Sequence, residues 1–326
     1  MSIDKSIFKS YDIRGIYPDQ INEKNIYQIA QAIYKLFQEK KGDRRLSVVV
    51  GRDMRLSAPK LYPIFKKGFV DAGAKLVDVG LVSTPTFYFA VLNLKTDAGA
   101  QLTASHNPPK YNGVKFVVRQ GEALMKIGGS TGMKQVKKYA LDEVSVKSSG
   151  GSEEKYNNIV EKEIRHAFKL ISPKGIKPLK VIADPANAMA GTYIEALFKQ
   201  LPCELVKMNF ELDGSFPAHQ PDPLVFSNLI DLQKKVLEEK ADFGLAPDGD
   251  GDRLFFIDEK GQIIAASAIT ALVARELLKK FPGETILYDI RYILTPKKII
   301  QEFGGKSDIT RVGHAFITKR MHETGA

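Results

Sequence analysis

Apolar residues recur along this chain with two alternating spacings, one typical of helices and one of buried strands. Between residues 23 and 40 they fall three and four positions apart, which predicts an amphipathic helix. The continuous apolar run at 46–50 predicts a buried strand, and a helix beginning near Ser57 and a strand at 75–79 follow it. The order of helix, tight turn and strand returns at 192–208 and 295–312. This recurrence predicts an α/β fold, a tandem repeat of α/β domains with mixed sheets.

Changes in composition place the boundaries between these domains. The segment KSSGGS at 147–152 is typical of a linker, and a charged helix over 153–170 is predicted to lead into the second domain. A turn at 258–261 precedes the third repeat. We therefore predict domains at 1–150, 151–258 and 259–326, and we expect the third to be incomplete.

The overall composition indicates a globular protein, with 44% hydrophobic and 26% charged residues. No apolar run approaches the roughly 18 residues of a membrane span, and the N-terminus has no apolar signal core. These features predict a cytoplasmic protein without a membrane partner. The single cysteine, Cys203, cannot form an internal disulfide, and its apolar neighbours predict a buried position in a reducing compartment.

The net charge of +10, from 48 basic and 38 acidic residues, suggests an anionic partner. Lys and Arg are dispersed along predicted helices, without a long basic tract or interleaved aromatic residues. This distribution favours a small phosphate ester over nucleic acid. The sequence leaves the oligomeric state open.

The first stretch that indicates chemistry follows the apolar run at 98–102. It reads TASHNP at 103–108, and the turn dipeptide Asn112-Gly113 closes it. A strand that ends in a tight turn would expose the hydroxyl of Ser105 at its tip, which makes this serine a candidate nucleophile. Taken alone, the stretch favours an Asn-Pro turn with a solvated serine.

The second stretch reads DGDGDR at 248–253. Three carboxylates on alternate residues repel one another unless a cation joins them, and oxygen ligands favour a hard ion such as Mg²⁺. An EF-hand loop also begins with this pattern, but Arg253 stands where that loop needs glycine, and strands flank the motif. A phosphorylated Ser105 would complete the ligand set, so the two stretches together predict a phosphoryl-transfer site. A glycine-rich stretch at 128–132 is not a P-loop, because no Gly-Lys-Ser/Thr follows it.

These stretches resemble motifs of the α-D-phosphohexomutases, in the phosphomannomutase/phosphoglucomutase branch. The resemblance rests on YDIRG at 11–15, TASHNP, YNGVK at 111–115, DGDGDR and VGH at 312–314. It implies a Mg²⁺-dependent isomerase, an intramolecular phosphotransferase that interconverts hexose 6-phosphate and hexose 1-phosphate, with mannose or glucose as the sugar. Phosphoserine 105 would pass its phosphoryl group to the phosphosugar, and hexose 1,6-bisphosphate would be the intermediate and activator.

The resemblance also implies individual roles, each of which has a plainer structural alternative. Lys115 would be the general base, although by spacing alone it is a surface lysine on a strand. Arg253 would add positive charge at the transferring phosphate. Its structural alternative is a salt bridge to Asp258 or a neighbour. His106 is expected to orient the loop, because adjacent side chains on an extended segment diverge. The full set is catalytic Ser105, Lys115, Arg253 and Arg14, metal-binding Ser105, Asp248, Asp250 and Asp252, and substrate-binding Tyr11, His106, Arg291 and His314.

Three other functions compete with this interpretation. Phosphoglucosamine mutases usually carry serine where Thr103 stands and aspartate where Tyr111 stands. A catalytically incompetent fragment that binds metal or phosphosugar is the second alternative, and a nucleic-acid-binding protein is the third. The family pattern continues past residue 326 into a sugar-recognition loop and a fourth domain, so we expect weak hexose phosphate binding and low mutase activity from this chain.

Overall fold

The computed structural model describes residues 3–146 and 150–326, which form two compact units. Unit 1 is Met1–Gly261 and unit 2 is Gln262–Ala326. Residues 147–149 of the predicted linker lie outside the described residues. The division into three domains therefore stays a prediction.

The first half of unit 1 is built on a seven-stranded mixed sheet. Its strands are β1 (Ile13–Ile16), β2 (Ser47–Arg52), β3 (Lys75–Leu81), β4 (Ala98–Leu102), β5 (Tyr111–Gln120), β6 (Ala123–Lys126) and β7 (Ser152–Lys155). Its helices are α1 (Glu23–Lys41), α2 (Ala58–Asp71), α3 (Thr84–Asn93), α4 (Met133–Leu141) and α5 (Ile159–Leu170). The order is β1-β5-β4-β2-β3-β7, and β6 pairs with β5. Strands β4, β2, β3 and β7 run parallel, whereas β5 is antiparallel to its neighbours.

Helices cover both faces of this sheet, because its central strands are apolar on both sides. In β2, Val48 and Val50 join the core beneath α1, α2 and α4, while Val49 joins the core beneath α3 and α5. Successive residues of a strand point to opposite faces, so a continuous apolar run needs a helical layer on each. The result is a three-layer α/β/α arrangement.

The second half of unit 1 carries a four-stranded sheet in the order β11-β10-β8-β9. Its elements are β8 (Lys180–Ala183), α6 (Ala190–Phe198), β9 (Glu204–Lys207), α7 (Ile230–Glu239), β10 (Phe243–Pro247) and β11 (Leu254–Asp258). Strands β9, β8 and β10 are parallel, and β11 returns antiparallel to β10. Leu245 packs with α6, whereas a Cβ on Gly244 would contact α7, so these two helices lie on opposite faces.

Unit 2 contains a two-stranded parallel sheet with helices around it. Its elements are α8 (Ala266–Lys280), β12 (Thr285–Asp289), α9 (Leu294–Glu302), β13 (Lys306–Thr310) and α10 (His314–Thr324). Ala274, Leu278, Tyr288 and Ile300 form its buried core. Within the described part of the chain, no helix is long and apolar enough to cross a membrane.

The predicted fold class is confirmed, two local predictions are wrong, and one helix was missed. The predicted helix over 153–170 begins only at Ile159, because 152–155 pair with β3 as the sheet-edge strand β7. Helix α3 was not predicted, because it is apolar around most of its circumference and has no clear helical stripe. Cys203 is partly exposed rather than buried, and its Sγ lies 3.7 Å from the Lys177 carbonyl oxygen.

Candidate active site

Ser105 lies in the turn that follows β4, and its backbone has a left-handed φ of +52°. The Ser105 amide donates to Thr103 Oγ1 over 3.0 Å, which closes the turn. The prediction of an exposed side chain is wrong, because Ser105 is only 3% accessible. The loop between β10 and β11 covers it, so closely that a Cβ on Gly249 would lie 2.5 Å from the Ser105 carbonyl oxygen. Only glycine permits this approach.

That covering loop brings the three aspartates to Ser105. The Ser105 hydroxyl donates to Asp250 Oδ1 at 2.5 Å and lies 3.3 Å from Asp248 Oδ2. Ligand oxygens of Asp248, Asp250 and Asp252 all lie within 4.8 Å of one another, with the first two buried and the third exposed. The structure thus brings the TASHNP and DGDGDR stretches into contact.

The charges at this cluster match those of a cation site. Burial, and then the charges of Asp250 and Asp252, raise the pKa of Asp248 to about 7. Burial acts on Asp250 in the same direction, but Lys115 and the hydrogen bonds from Lys115, Ser105 and Thr84 lower its pKa. Carboxylates packed this closely favour a positive ion between them, and their oxygen atoms fit a hard divalent cation.

Lys115 points to the cluster from β5. Its Nζ donates to Asp250 and, over 3.0 Å, to Asp252 Oδ2. Burial favours the neutral amine, but the charges of Asp250 and then Asp252 outweigh it and raise the pKa of Lys115. Lys115 is therefore an ammonium group while both carboxylates face it.

The side chains of His106 and Ser105 lie closer together than we expected from the sequence. Its Nδ1 is 3.1 Å from the Ser105 hydroxyl, and Arg253 Nη2 contacts the same nitrogen. The expectation of diverging side chains is wrong, because the left-handed Ser105 prevents an extended segment. Burial, and then the charge of Arg253, lower the pKa of His106 to about 4, so its ring is neutral near pH 7.

Arg253 joins the histidine to the aspartate cluster. Its Nε donates to Asp248 Oδ2 over 3.0 Å, and its Nη1 lies 3.5 Å from Asp222 Oδ1. The guanidinium group therefore faces the Ser105 turn, and its ion pairs are with Asp248 and Asp222.

The other predicted residues divide between the two units. Arg14 donates to Asp12 Oδ2 over 2.7 Å and to Asn107 in the Ser105 turn, whereas Tyr11 is 42% exposed. In unit 2, the Arg291 side chain donates two hydrogen bonds to Asp289, over 3.0 and 2.7 Å. His314 is the first residue of α10, and its side chain lies outside the described part of the structure.

Arg55, which the sequence did not indicate, holds the Ser105 turn in place. The Arg55 side chain is fully buried, and its Nη1 and Nη2 donate to the carbonyl oxygens of residues 105, 107, 108 and 111 over 2.6–2.8 Å. Its Nε lies 3.3 Å from Asp53 Oδ2, and its guanidinium stacks 5.4 Å from the centre of the Phe216 ring. The charged pair Asp53 and Arg55 directly after an apolar strand was the signal that could have revealed it.

Hydrogen bonds from two further segments, which the sequence did not indicate, fix the loops around the site. Thr84, the first residue of α3, donates its amide to the Asp250 carbonyl over 2.9 Å and its hydroxyl to the Asp250 side chain. Gln220 donates to the His106 carbonyl, and the Gly249 amide donates to the Pro221 carbonyl over 3.0 Å. The segment at 220–221 thus connects the Ser105 turn to the aspartate loop.

Comparison with known proteins matches this arrangement to one family. The models for phosphoglucomutase/phosphomannomutase alpha/beta/alpha domains I and II match residues 5–128 and 154–261. A phosphomannomutase/phosphoglucomutase of Pseudomonas aeruginosa is 37% identical over the whole chain, which spans 68% of that relative. The chain belongs to the phosphoglucomutase/phosphomannomutase family.

Other members of the phosphoglucomutase/phosphomannomutase family show the same relationship. A phosphomannomutase of Escherichia coli is 36% identical over 98% of this chain and 70% of the relative. The crystal structure of a family protein from Burkholderia thailandensis has a TM-score of 0.89 at 36% identity, covering 99% of this chain and 70% of that one. The resemblance seen in the motifs therefore extends over the fold, and this chain spans about two thirds of the length of these relatives.

Proposed function

We propose that this chain interconverts hexose 6-phosphate and hexose 1-phosphate, with mannose or glucose as the sugar. The observation that carries the proposal is the buried Ser105 hydroxyl, hydrogen-bonded to Asp250 at 2.5 Å within the aspartate cluster. The relatives are a phosphomannomutase/phosphoglucomutase and a phosphomannomutase, and their names support the substrate class. A phosphosugar is also a small anion. Such a partner suits a chain whose positive charge is dispersed and not gathered into a long basic tract.

The proposed reaction consists of two phosphoryl transfers through Ser105. The bond between Ser105 Oγ and phosphorus breaks as a bond from phosphorus to a sugar hydroxyl oxygen forms, and Lys115 takes the hydroxyl proton. The resulting hexose 1,6-bisphosphate turns end for end. Its other phosphoryl group then moves to Ser105 Oγ as the bond from phosphorus to the sugar oxygen breaks, and Lys115 returns the proton to that oxygen. The same bisphosphate would phosphorylate resting enzyme, which makes it an activator.

The residues around Ser105 contribute mainly position and charge, which dominate phosphoryl transfer. Arg253 places positive charge at the transferring group, and Arg14 supports the turn through Asn107. Mg²⁺, held by Asp248, Asp250, Asp252 and phosphoserine 105, would neutralise phosphoryl oxygens. The charges of Asp250 and Asp252 stabilise the ammonium form of Lys115. Lys115 can therefore act as a base only when another positive group neutralises those carboxylates. Tyr11, His106, Arg291 and His314 are proposed to contact the sugar phosphate.

Intact-mass analysis after incubation with glucose 1,6-bisphosphate and Mg²⁺ tests this proposal. Wild-type protein should gain one phosphoryl group and turn over mannose or glucose 1-phosphate in a coupled assay. Ser105→Ala should do neither, while Ser130→Ala, an exposed serine in a turn, should do both. Turnover by the Ser105→Ala protein, or wild type that is active without ever carrying phosphoserine, would refute the mechanism. Turnover of glucosamine 1-phosphate in place of these substrates would favour the alternative, a phosphoglucosamine mutase.

A further inference from the structure

A cavity of about 330 Å³ lies in unit 1 between the start of α3, α5, α6 and the β10–β11 loop. Gly251 and Arg253 contribute to its lining, but Ser105, Lys115 and the three aspartates do not, among the residues that the structure describes. Its volume falls at the lower end of the range for small-molecule sites. The cavity therefore lies beside the phosphoryl-transfer site, and the β10–β11 loop, through Gly251 and Arg253, contributes to both.

One wall of this cavity is apolar. It is formed mainly by one side of α6 and completed by the second sheet, with the side chains of Ala190, Ile194, Leu197, Phe198, Leu245 and Leu254. A ligand that covers this wall removes apolar surface from water, which favours binding by about 25 cal/mol per Å² of apolar area buried. The wall fits the body of a small aromatic or aliphatic molecule.

Another part of the lining, on α5, contributes a carboxylate, Glu163, that has no cationic partner among the described residues. Glu163 Oε2 accepts a hydrogen bond from Thr86 Oγ1 over 2.6 Å, and Glu163 forms no ion pair with any described residue. Burial raises the pKa of Glu163, as expected for an acid that has lost water and gained no counter-charge. Tyr193 lines the cavity nearby, and burial followed by the charge of Glu163 raises the pKa of its hydroxyl.

The other charged residue of the lining does not neutralise Glu163. The guanidinium of Arg253 donates to Asp248 and His106 and pairs with Asp222, so its donors serve the phosphoryl-transfer site. Glu163 is thus left as the carboxylate that a bound molecule would meet. Its charge would repel an anion such as a sugar phosphate.

We propose that this cavity binds a small organic cation, a primary ammonium group on an apolar body about the size of a phenylethyl group. The ammonium group pairs with Glu163 and donates to the Tyr193 hydroxyl oxygen, and the apolar body covers the α6 wall. A neutral molecule of the same shape would leave the partly buried carboxylate unpaired, which disfavours it. Apolar shape and a single positive charge together define the ligand class.

Phenethylamine and its neutral counterpart 2-phenylethanol are the probes that test this proposal on the full chain. We expect phenethylamine to bind with a dissociation constant on the order of 1 mM by ligand-observed NMR, and at least about tenfold more tightly than 2-phenylethanol. Glu163→Gln should remove that preference. The matched control Glu161→Gln changes an exposed glutamate on the same helix and should preserve it.

A cavity-filling variant locates the probe. Leu197→Trp places a bulky side chain in the apolar wall and should abolish binding of both probes, while its thermal unfolding temperature shows that it folds. Equal affinity for the two probes, unchanged phenethylamine binding in Glu163→Gln or Leu197→Trp, or no binding to wild type would each overturn the proposal. None of these readouts depends on mutase activity, so the result is independent of the proposed function.

Discussion

The conformation of the Ser105 turn depends on one residue that does not itself contact the reacting hydroxyl. Arg55 donates four hydrogen bonds to carbonyl oxygens of residues 105–111 and is paired with the buried Asp53. Arg55→Met removes those donors and leaves the Asp53 carboxylate without its partner. We expect the free energy of unfolding, measured by urea denaturation, to fall by about 3–5 kcal/mol.

The matched control is Arg45→Met, because Arg45 is exposed. We expect its effect to stay within about 0.5 kcal/mol. Arg55→Lys keeps the charge but cannot reach four carbonyl groups with a planar fork, so it should fall between the two. A loss below about 1 kcal/mol in Arg55→Met would contradict the role assigned to this side chain.

The cation site makes a second prediction at the scale of single residues. Asp250→Asn removes one negative charge from a cluster whose oxygens lie within 4.8 Å of one another. Mg²⁺ affinity, measured by isothermal titration calorimetry, should fall at least about tenfold, and phosphoryl transfer should fall with it. Asp231→Asn, at an exposed position on α7, serves as the control and should leave both unchanged. Full activity in excess chelator would show that the cluster is not a catalytic metal site.

At the scale of elements, the long connection between β9 and α7 is held to the end of β8 by a charged pair. His219 Nε2 lies 3.0 Å from Asp184 Oδ2, and this hydrogen bond raises the pKa of His219 above its ordinary value. A raised pKa means that the folded state binds the proton more tightly than the unfolded state. Its contribution to stability is therefore complete below about pH 6.5 and is lost as the pH rises through the folded-state pKa.

His219→Gln should consequently lower the free energy of unfolding more at pH 6 than at pH 8.5, as measured by urea denaturation at both values. The difference between the two pH values should disappear when the same substitution is made in an Asp184→Asn background, because the partner is then uncharged. An equal loss at both pH values in the wild-type background would argue against the pair.

At the scale of the whole molecule, every contact described around Ser105 lies in unit 1. The aspartate cluster, Lys115 and Arg55 all precede Gly261, the last residue of that unit. We therefore expect residues 1–261, expressed alone, to bind Mg²⁺ within about threefold of the full chain by calorimetry. Asp250→Asn within the shortened chain provides the control for specific binding. A loss greater than about tenfold would mean that unit 2 contributes to the site.

The sequence by itself determined the elements and chemistry that local pattern can encode. The apolar spacing of α1 and the continuous run of β2 each reflect which faces are buried, so their positions follow from periodicity. The motif DGDGDR likewise indicates a cation from charge repulsion alone, and TASHNP supplies the hydroxyl. These inferences need only neighbouring residues.

Features that depend on segments far apart in the chain are visible only in the folded protein. β7 forms because β3 offers it an open edge, although the charged residues at 153–155 alone favoured a helix. Ser105 is buried because the aspartate loop closes over it, and its left-handed backbone brings His106 alongside. Arg55 acquires its role only when the carbonyl groups of the folded turn surround it. Burial and hydrogen-bond partners are properties of the packed chain, which no local pattern contains.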